Sequence, residues 1–575
     1  MRFRSARLLL LPAAFLAACQ TQPERTLTYA DLSRQYLDAY YASNPETAVY
    51  LGKHAYDGQL AIPTKAWWQG QRTQLAHFDS TFARLDTAQL KPAERIDLRL
   101  LQAHIHRELN DIDSLRTPEN PYTYGVDFSA YVERTFGTPQ GRMQSVIAKA
   151  RLVPDYVEAV KQNIVAERNA PEHVRVAIDE FTGTADYLLG DVRAAFDTVG
   201  DAGQRAELES ATKVASDALR GLATYLQNEG LPRAIGSYAI GAGNFRRMLL
   251  NNEQLTADPD SLLRLGLAQL RREQIEFANA ARIIDPTKPA IEVFRSIQKD
   301  HPTADKLVSS TQAHCEAIRQ FLLDKQIISI PSDVRATVTK TPEFMVGSMA
   351  AMNTPGPFED PKAAQAYYYI TLPKATWSAK QREEWLTQYN RYVAEVISIH
   401  EAYPGHYVQF LHLNASGVSE VRKVFGSYAF VEGWAHYAEQ MMLEEGYGGT
   451  NVWRDPKTAA KYKLAQLSES LLRYCRLVCA INLHTHGWTV EQATRFIRAN
   501  CYYEEKPARE EALRGTYDPG YLSYSLGKLQ LLALRDQYRQ KTGKNFRLRD
   551  FHNAVLAQGM LPVSELSNVL LNRSF

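Results

Sequence analysis

The feature that most constrains this chain is how often its apolar residues recur at spacings of three and four. Leu32 to Tyr41, Ala93 to Asn110, Val146 to Glu167, Val174 to Val199, Gln204 to Gln227 and Ser261 to Ile283 each carry an apolar stripe on a 3.6-residue period. Stripes of that kind must be buried against one another, so the chain is expected to be mainly α. Proline breaks such as Pro232 and Pro286 separate the segments, and the absence of a fixed-period repeat argues against a solenoid. The length of 575 residues, with 45% hydrophobic and 23% charged, is enough to bury a large core and excludes disordered and collagen-like chains. Lys and Arg (66) balance Asp and Glu (64), leaving no basic excess for nucleic acid. A glycine-rich break from Gly236 to Gly243 divides the expected lobes, an N-terminal helical one over 19–240 and a second over 241–575.

The first 18 residues read as a targeting segment. Arg2, Arg4 and Arg7 precede a short apolar run from Leu8 to Phe15, too short for a bilayer-spanning helix of about 20 residues. Leu16-Ala17-Ala18-Cys19 resembles a bacterial lipobox, in which cleavage precedes the cysteine and its sulfur is lipidated. Gln20 resembles the outer-membrane sorting class. The expected mature chain then holds 63 basic against 64 acidic residues and lies in the periplasm, tied to the outer membrane through lipid on Cys19 alone. Cys315, Cys475, Cys479 and Cys501 are too few for a disulfide framework, and the i,i+4 pair Cys475 and Cys479 is expected to pack as small apolar residues.

One region departs from helix. Val334 to Thr341 alternates apolar and polar residues, and Ala366 to Leu372 is tyrosine-rich up to Pro373; both read as strands of a small sheet. That sheet is either an edge for an extended peptide or a plain hairpin. Ser378 with Gln381 has capping-box form and starts a helix near Ala379, whose stripe of Trp385, Tyr389, Val393, Val396 and Ile397 leads to His400 and turns it inward.

There the chain runs His400-Glu401-Ala402-Tyr403-Pro404-Gly405-His406. Two histidines four apart on a helix can hold one metal ion. At six apart, an unbroken helix would set them about 120° out of register. Pro404 and Gly405 break the helix and are expected to swing His406 back beside His400. A further helix, Ala429 to Glu445, ends at Gly446 and carries Glu432, His436 and Glu439 on one face. Any of the three could supply a third ligand, and Glu432 is favoured by its spacing of 26 residues from His406.

These segments resemble a widespread bacterial lipoprotein family, long labelled a domain of unknown function, whose motifs are H-E-x-x-P-G-H and E-G-W-A-x-Y. The family is similar in turn to Glu-zincin metallopeptidases such as the thimet-oligopeptidase and bacterial zinc carboxypeptidase groups. The resemblance runs from Asn44-Pro45 and Gly52-x-His54-x-Tyr56-Asp57 to the end of the chain. It implies a large two-lobed helical fold around a central cleft, with the catalytic site in the 241–575 lobe. It also implies His400, His406 and Glu432 as ligands and Glu401 as base, and places His436 at a variable position, as a lining residue beside the substrate. His484-Thr485-His486-Gly487-Trp488 and Pro519-Gly520-Tyr521-Leu522-Ser523-Tyr524 resemble two further family blocks, the second one residue short and lacking the usual Gln and Ala. Ala480 stands where the family often has Asp. Within these blocks His484 and Tyr524 are candidate transition-state contacts, and Arg514 and Tyr521 candidate substrate contacts, with packing roles as the alternatives. Glu439 is a candidate acceptor orienting a ligand histidine.

Two imidazoles and one carboxylate with an open position fit zinc (Zn2+). The expected activity is zinc-dependent hydrolysis of oligopeptides in the periplasm, by a monomer or weak homo-oligomer. Two other classes stay open: a metal-containing binding or scaffold lipoprotein without turnover, and a hydrolase of non-peptide amides in cell-wall fragments.

Overall fold

The computed structural model describes residues 28–342, 349–360, 365–449 and 455–572, so Cys19 and its leader lie outside the described residues. The chain is mainly α, 73% helical, with one small three-stranded sheet. Among the described residues no helix is long and apolar enough to cross a membrane. The striped segments form helices Tyr29–Ser43, Pro92–Asn110, Pro139–Asn163, Ala202–Tyr225 and Pro259–Ile284. The expected helix from Val174 to Val199 is two, Pro171–Leu189 and Asp191–Ala195, because Gly190 interrupts it.

Two apolar clusters are buried. The smaller includes Val146, Val153, Phe181, Val192 and Leu219. The larger holds most of the chain beyond residue 240, together with Leu32, Tyr36, Leu101 and Ile105 from earlier helices.

In the sheet, β1 (Thr337–Lys340) and β2 (Ala350–Asn353) flank β3 (Tyr367–Ile370). The strand expected from Val334 begins only at Thr337. Thr337 faces Tyr367 in parallel register, so β1 and β3 are not a hairpin; the antiparallel partner of β3 is β2, whose Ala-Ala-Met-Asn sequence carries no strand pattern. The sheet rests on the motif helix Arg391–Glu401, where the Tyr368 hydroxyl lies 3.4 Å from Ser398 Oγ.

The helix capped by Ser378 is Ala379–Gln388 and stops short of the motif. Asn390 interrupts it: its side chain accepts from the Val393 amide and starts a second helix in a new direction. The stripe leading to His400 is therefore carried by two helices rather than one. Cys475 and Cys479 are free and fully buried, and Cys315 and Cys501 are also free thiols.

Candidate metal centre

The motif helix ends at Glu401, and a new helix, His406–Ala415, begins directly after Gly405. The reversal is so tight that a Cβ on Gly405 would lie 1.7 Å from the His400 carbonyl oxygen, which no side chain can occupy. The Gly405 amide donates to the Ile399 carbonyl at 3.0 Å. As a result the His400 and His406 rings stand edge-to-face with centroids 4.9 Å apart.

The helix Tyr428–Glu444 brings the carboxylate. Trp434, fully buried, donates its indole N–H to the Pro404 carbonyl at 2.9 Å and so fastens this helix to the break. Gly433 lets the helix Ser523–Thr542 cross at backbone contact; a Cβ there would meet Gly527 Cα at 2.4 Å. Between these fixings, Glu432 Oε2 lies 3.5 Å from His400 Nε2 and 3.5 Å from His406 Nε2. The three donor atoms all fall within 4.8 Å of one another.

This spacing suits a metal ion. Two donors at about 2.1 Å from a tetrahedral ion are about 3.4 Å apart. Glu432 Oε2 is buried and has no hydrogen-bond partner, the condition of a ligand oxygen rather than of a packed carboxylate. Charge agrees. Burial alone would raise the Glu432 pKa, yet His406 and His400 hold it well below the usual carboxylate range. Burial would lower His400, but its contacts with Glu432 and Glu439 outweigh it and lift the imidazole to about 9. The cluster attracts positive charge.

Glu439 stands behind His400, its Oε1 2.7 Å from Nδ1. This turns the other ring nitrogen, Nε2, toward Glu432. Glu401, half-buried beside the ligands, has a pKa raised by burial, against the opposing pull of His400 and His406. The Tyr524 ring lies 6.4 Å from that of His400 and nearly parallel to it. Its hydroxyl accepts from Arg514 Nη2 at 3.4 Å, and burial and Glu432 raise its pKa, so it is protonated and can donate.

The other expected site residues are placed differently. Arg514 is held by Asp518, with Nη2 to Oδ2 at 3.0 Å, and also donates to the Tyr428 hydroxyl at 3.1 Å. His436 does not line the site: it is fully buried, with Nδ1 3.2 Å from Glu439 Oε2. His484 is walled in, its Nε2 2.7 Å from the Gly515 carbonyl, and burial lowers its pKa to about 4. Tyr521 is buried with its hydroxyl against Gly515. For these two, packing and not exposure to a substrate describes the environment.

Arg473, Arg476, Ser470, Tyr428 and Lys528 were not foreseen. Arg473 Nη2 lies 3.6 Å from Glu439 Oε1, and the Arg476 guanidinium lies over the Tyr524 ring at 5.0 Å while gripping Glu511 through two hydrogen bonds. The available signal was a cation inside an apolar run, as in Leu471 to Leu483 and around Lys528.

A family model described as a bacterial protein of unknown function (DUF885) matches residues 45–570. No curated protein matches the chain. Among solved structures, "a putative lipoprotein of unknown function" from Shewanella oneidensis is 26% identical, with a TM-score of 0.78 over 95% of this chain and 100% of that one. A "putative lipoprotein" from Colwellia psychrerythraea, 16% identical, has the same fold, with a TM-score of 0.78 over 95% of this chain and 98% of that one.

Proposed function

We propose that this chain, which belongs to the DUF885 family of bacterial proteins of unknown function, is a zinc-dependent hydrolase that cleaves peptide bonds of oligopeptides. One observation carries the reading: a buried carboxylate oxygen without a hydrogen-bond partner, 3.5 Å from each of two imidazole nitrogens. The likeness of its two motifs to those of Glu-zincin peptidases supports peptide as the substrate class, and with it a cleft between an N-terminal lobe and the 241–575 lobe. The lipobox at Cys19 and the name of the Shewanella structure support a lipid-anchored envelope protein, facing the periplasm from the outer membrane.

His400, His406 and Glu432 hold the metal. A bound zinc ion would supply Lewis acidity and a water whose pKa falls from 15.7 to roughly 7. Glu401 takes a proton from the attacking water and delivers it to the departing amine, a task suited to a carboxylate whose pKa is raised by burial. The protonated Tyr524 hydroxyl donates to the oxygen on which negative charge develops, and Arg514 holds that hydroxyl in place. Glu439 accepts from His400 Nδ1 and so presents Nε2 as the nitrogen that would meet the ion.

The test is metal analysis of the purified protein together with digestion of a mixed peptide library. About one zinc per chain, cleavage abolished by a chelator and restored by zinc, and loss of both metal and cleavage in Glu432→Ala are expected. A wild-type protein that retains no metal, or cleavage indifferent to chelation, would reject the reading.

A further inference from the structure

Behind His400 the polar contacts do not stop at Glu439. Glu439 Oε2 meets His436 Nδ1 at 3.2 Å, His436 Nε2 lies 3.3 Å from Ser470 Oγ, and Ser470 Oγ accepts from Lys528 Nζ at 3.0 Å. Lys528 also reaches Glu273 Oε1 at 3.2 Å. Ser470, His436 and Glu439 are fully buried, and Lys528 is 1% exposed. The line crosses four helices: the motif helix, Tyr428–Glu444, Pro456–Thr485 and Ser523–Thr542.

The chemistry of each group fixes where every proton sits. An ammonium only donates, so Ser470 Oγ accepts from Lys528 and its own hydrogen is free for another partner. Glu439 Oε1 lies 3.6 Å from the Arg473 guanidinium, and carboxylate oxygens accept, so His436 Nδ1 carries the hydrogen between His436 and Glu439 Oε2. The ring is neutral: burial first, then the Lys528 charge, lower its pKa to about 3. Its Nε2 is therefore bare and accepts from Ser470. Glu439 then receives one hydrogen from His436 on Oε2 and one from His400 Nδ1 on Oε1, and His400 Nε2 is the ring nitrogen that faces Glu432.

We propose that Lys528, Ser470 and His436 are positioning residues for the metal centre: a buried relay whose single proton arrangement holds the Glu439 carboxylate on His400 and thereby keeps His400 set to bind the ion. The proposal rests on reading His400 as a ligand. Packing alone does not require the arrangement. An ion pair of Lys528 with Glu273 needs neither a serine nor a neutral histidine in line with it, and burying four polar groups in succession is favourable only where each is satisfied by the next. The crossing at Gly433 and Gly527 brings Lys528 within reach, since it lies one residue from Gly527.

The experiment is Co2+ titration of the full mature chain, with the visible spectrum of the bound ion as a second readout. Outer partners of metal-binding histidines typically change affinity by about 10–100-fold. Ser470→Ala and Lys528→Met are expected to weaken Co2+ binding by about that factor and to shift the spectrum, while Lys528→Arg, which keeps a donor cation, restores binding to within a few-fold of wild type. Nitrogen-15 spectra of the histidine rings in metal-free wild-type protein should show His436 neutral, with the hydrogen on Nδ1. A folded Ser470→Ala with wild-type Co2+ affinity and spectrum would overturn the relay, as would a hydrogen on His436 Nε2. Should Lys528→Met not fold, the smaller change at Ser470 decides. Wild-type protein that binds no Co2+ brings down the metal reading itself, which separates that failure from failure of the relay.

Discussion

His400 and His484 are buried to a similar depth, at 5% and 1% exposure, and both lie in motifs that the sequence marks as functional. Their surroundings differ in charge. His400 faces two carboxylates, and its pKa rises to about 9; His484 faces a backbone carbonyl and the ring of Phe245, and its pKa falls to about 4. Burial is common to both and decides nothing. What separates a ligand-like histidine from a packed one is the negative charge gathered around it, and beside His400 part of that charge, Glu432 Oε2, has no hydrogen bond to satisfy it.

The sharpest way to break this contrast is to remove a reacting group without touching the ligands. Glu401→Gln should keep wild-type zinc content while turnover of a peptide substrate falls by about 10²–10⁴-fold. An active, fully loaded variant would transfer the role of base elsewhere and weaken the link between the charged cluster and chemistry. Tyr524→Phe comes next. Losing one donor to a developing oxyanion lowers kcat by about 10²–10³-fold, and zinc content should not change. If kcat holds and only KM rises, Tyr524 binds substrate without favouring the transition state.

His484→Leu probes the other side of the comparison. It leaves the Gly515 carbonyl without its imidazole partner, which costs roughly 1–3 kcal/mol of stability. Thermal unfolding should shift downward while kcat and zinc content stay within a few-fold of wild type. A hundred-fold drop in kcat with the melting temperature unchanged would show that the packed environment hides a catalytic role, and the contrast with His400 would fail.

The parts of this arrangement that were legible in the sequence are those set by local rules. Helical periodicity located the long helices, and the Pro404-Gly405 break located the turn that brings His406 beside His400. Glu432 and Glu439 were found because i and i+7 share a helix face. What was not legible depends on contacts between distant segments. Nothing in the spacing of residues 400, 470 and 528 joins them; they lie on three different helices, and the last is brought in where its helix crosses Tyr428–Glu444 backbone to backbone at Gly433 and Gly527. Asn390 was unreadable for a related reason: its neighbours fit a continuing stripe, but its side chain caps a new helix. His484 and Tyr521 were singled out by likeness of motif alone, which does not say whether a residue faces a cavity or a carbonyl.

The smallest expected effect extends the comparison from histidines to buried carboxylates. Glu432 and Glu439 are held charged by neighbouring basic side chains, whereas Glu253, the last residue of the helix Gly241–Glu253, which packs against the start of the helix that bears them, is not. It accepts from the Ser427 hydroxyl and the Ala429 amide, but burial dominates and its pKa rises to about 7. An unfolded glutamate titrates near 4.3. Between about pH 4.3 and 7 the folded protein therefore holds a proton that the unfolded chain has released, so raising the pH through this window lowers stability. Glu253→Gln removes that dependence, its carbonyl oxygen accepting from the Ala429 amide while its NH2 donates to the Ser427 hydroxyl oxygen. The variant should melt close to wild type near pH 5 and above it by a few degrees at pH 8, with the difference growing across the window. A constant difference at every pH would mean that Glu253 stays ionised in the fold, and that hydrogen bonds from a helix start can hold a buried carboxylate charged without the basic side chains that Glu432 and Glu439 have.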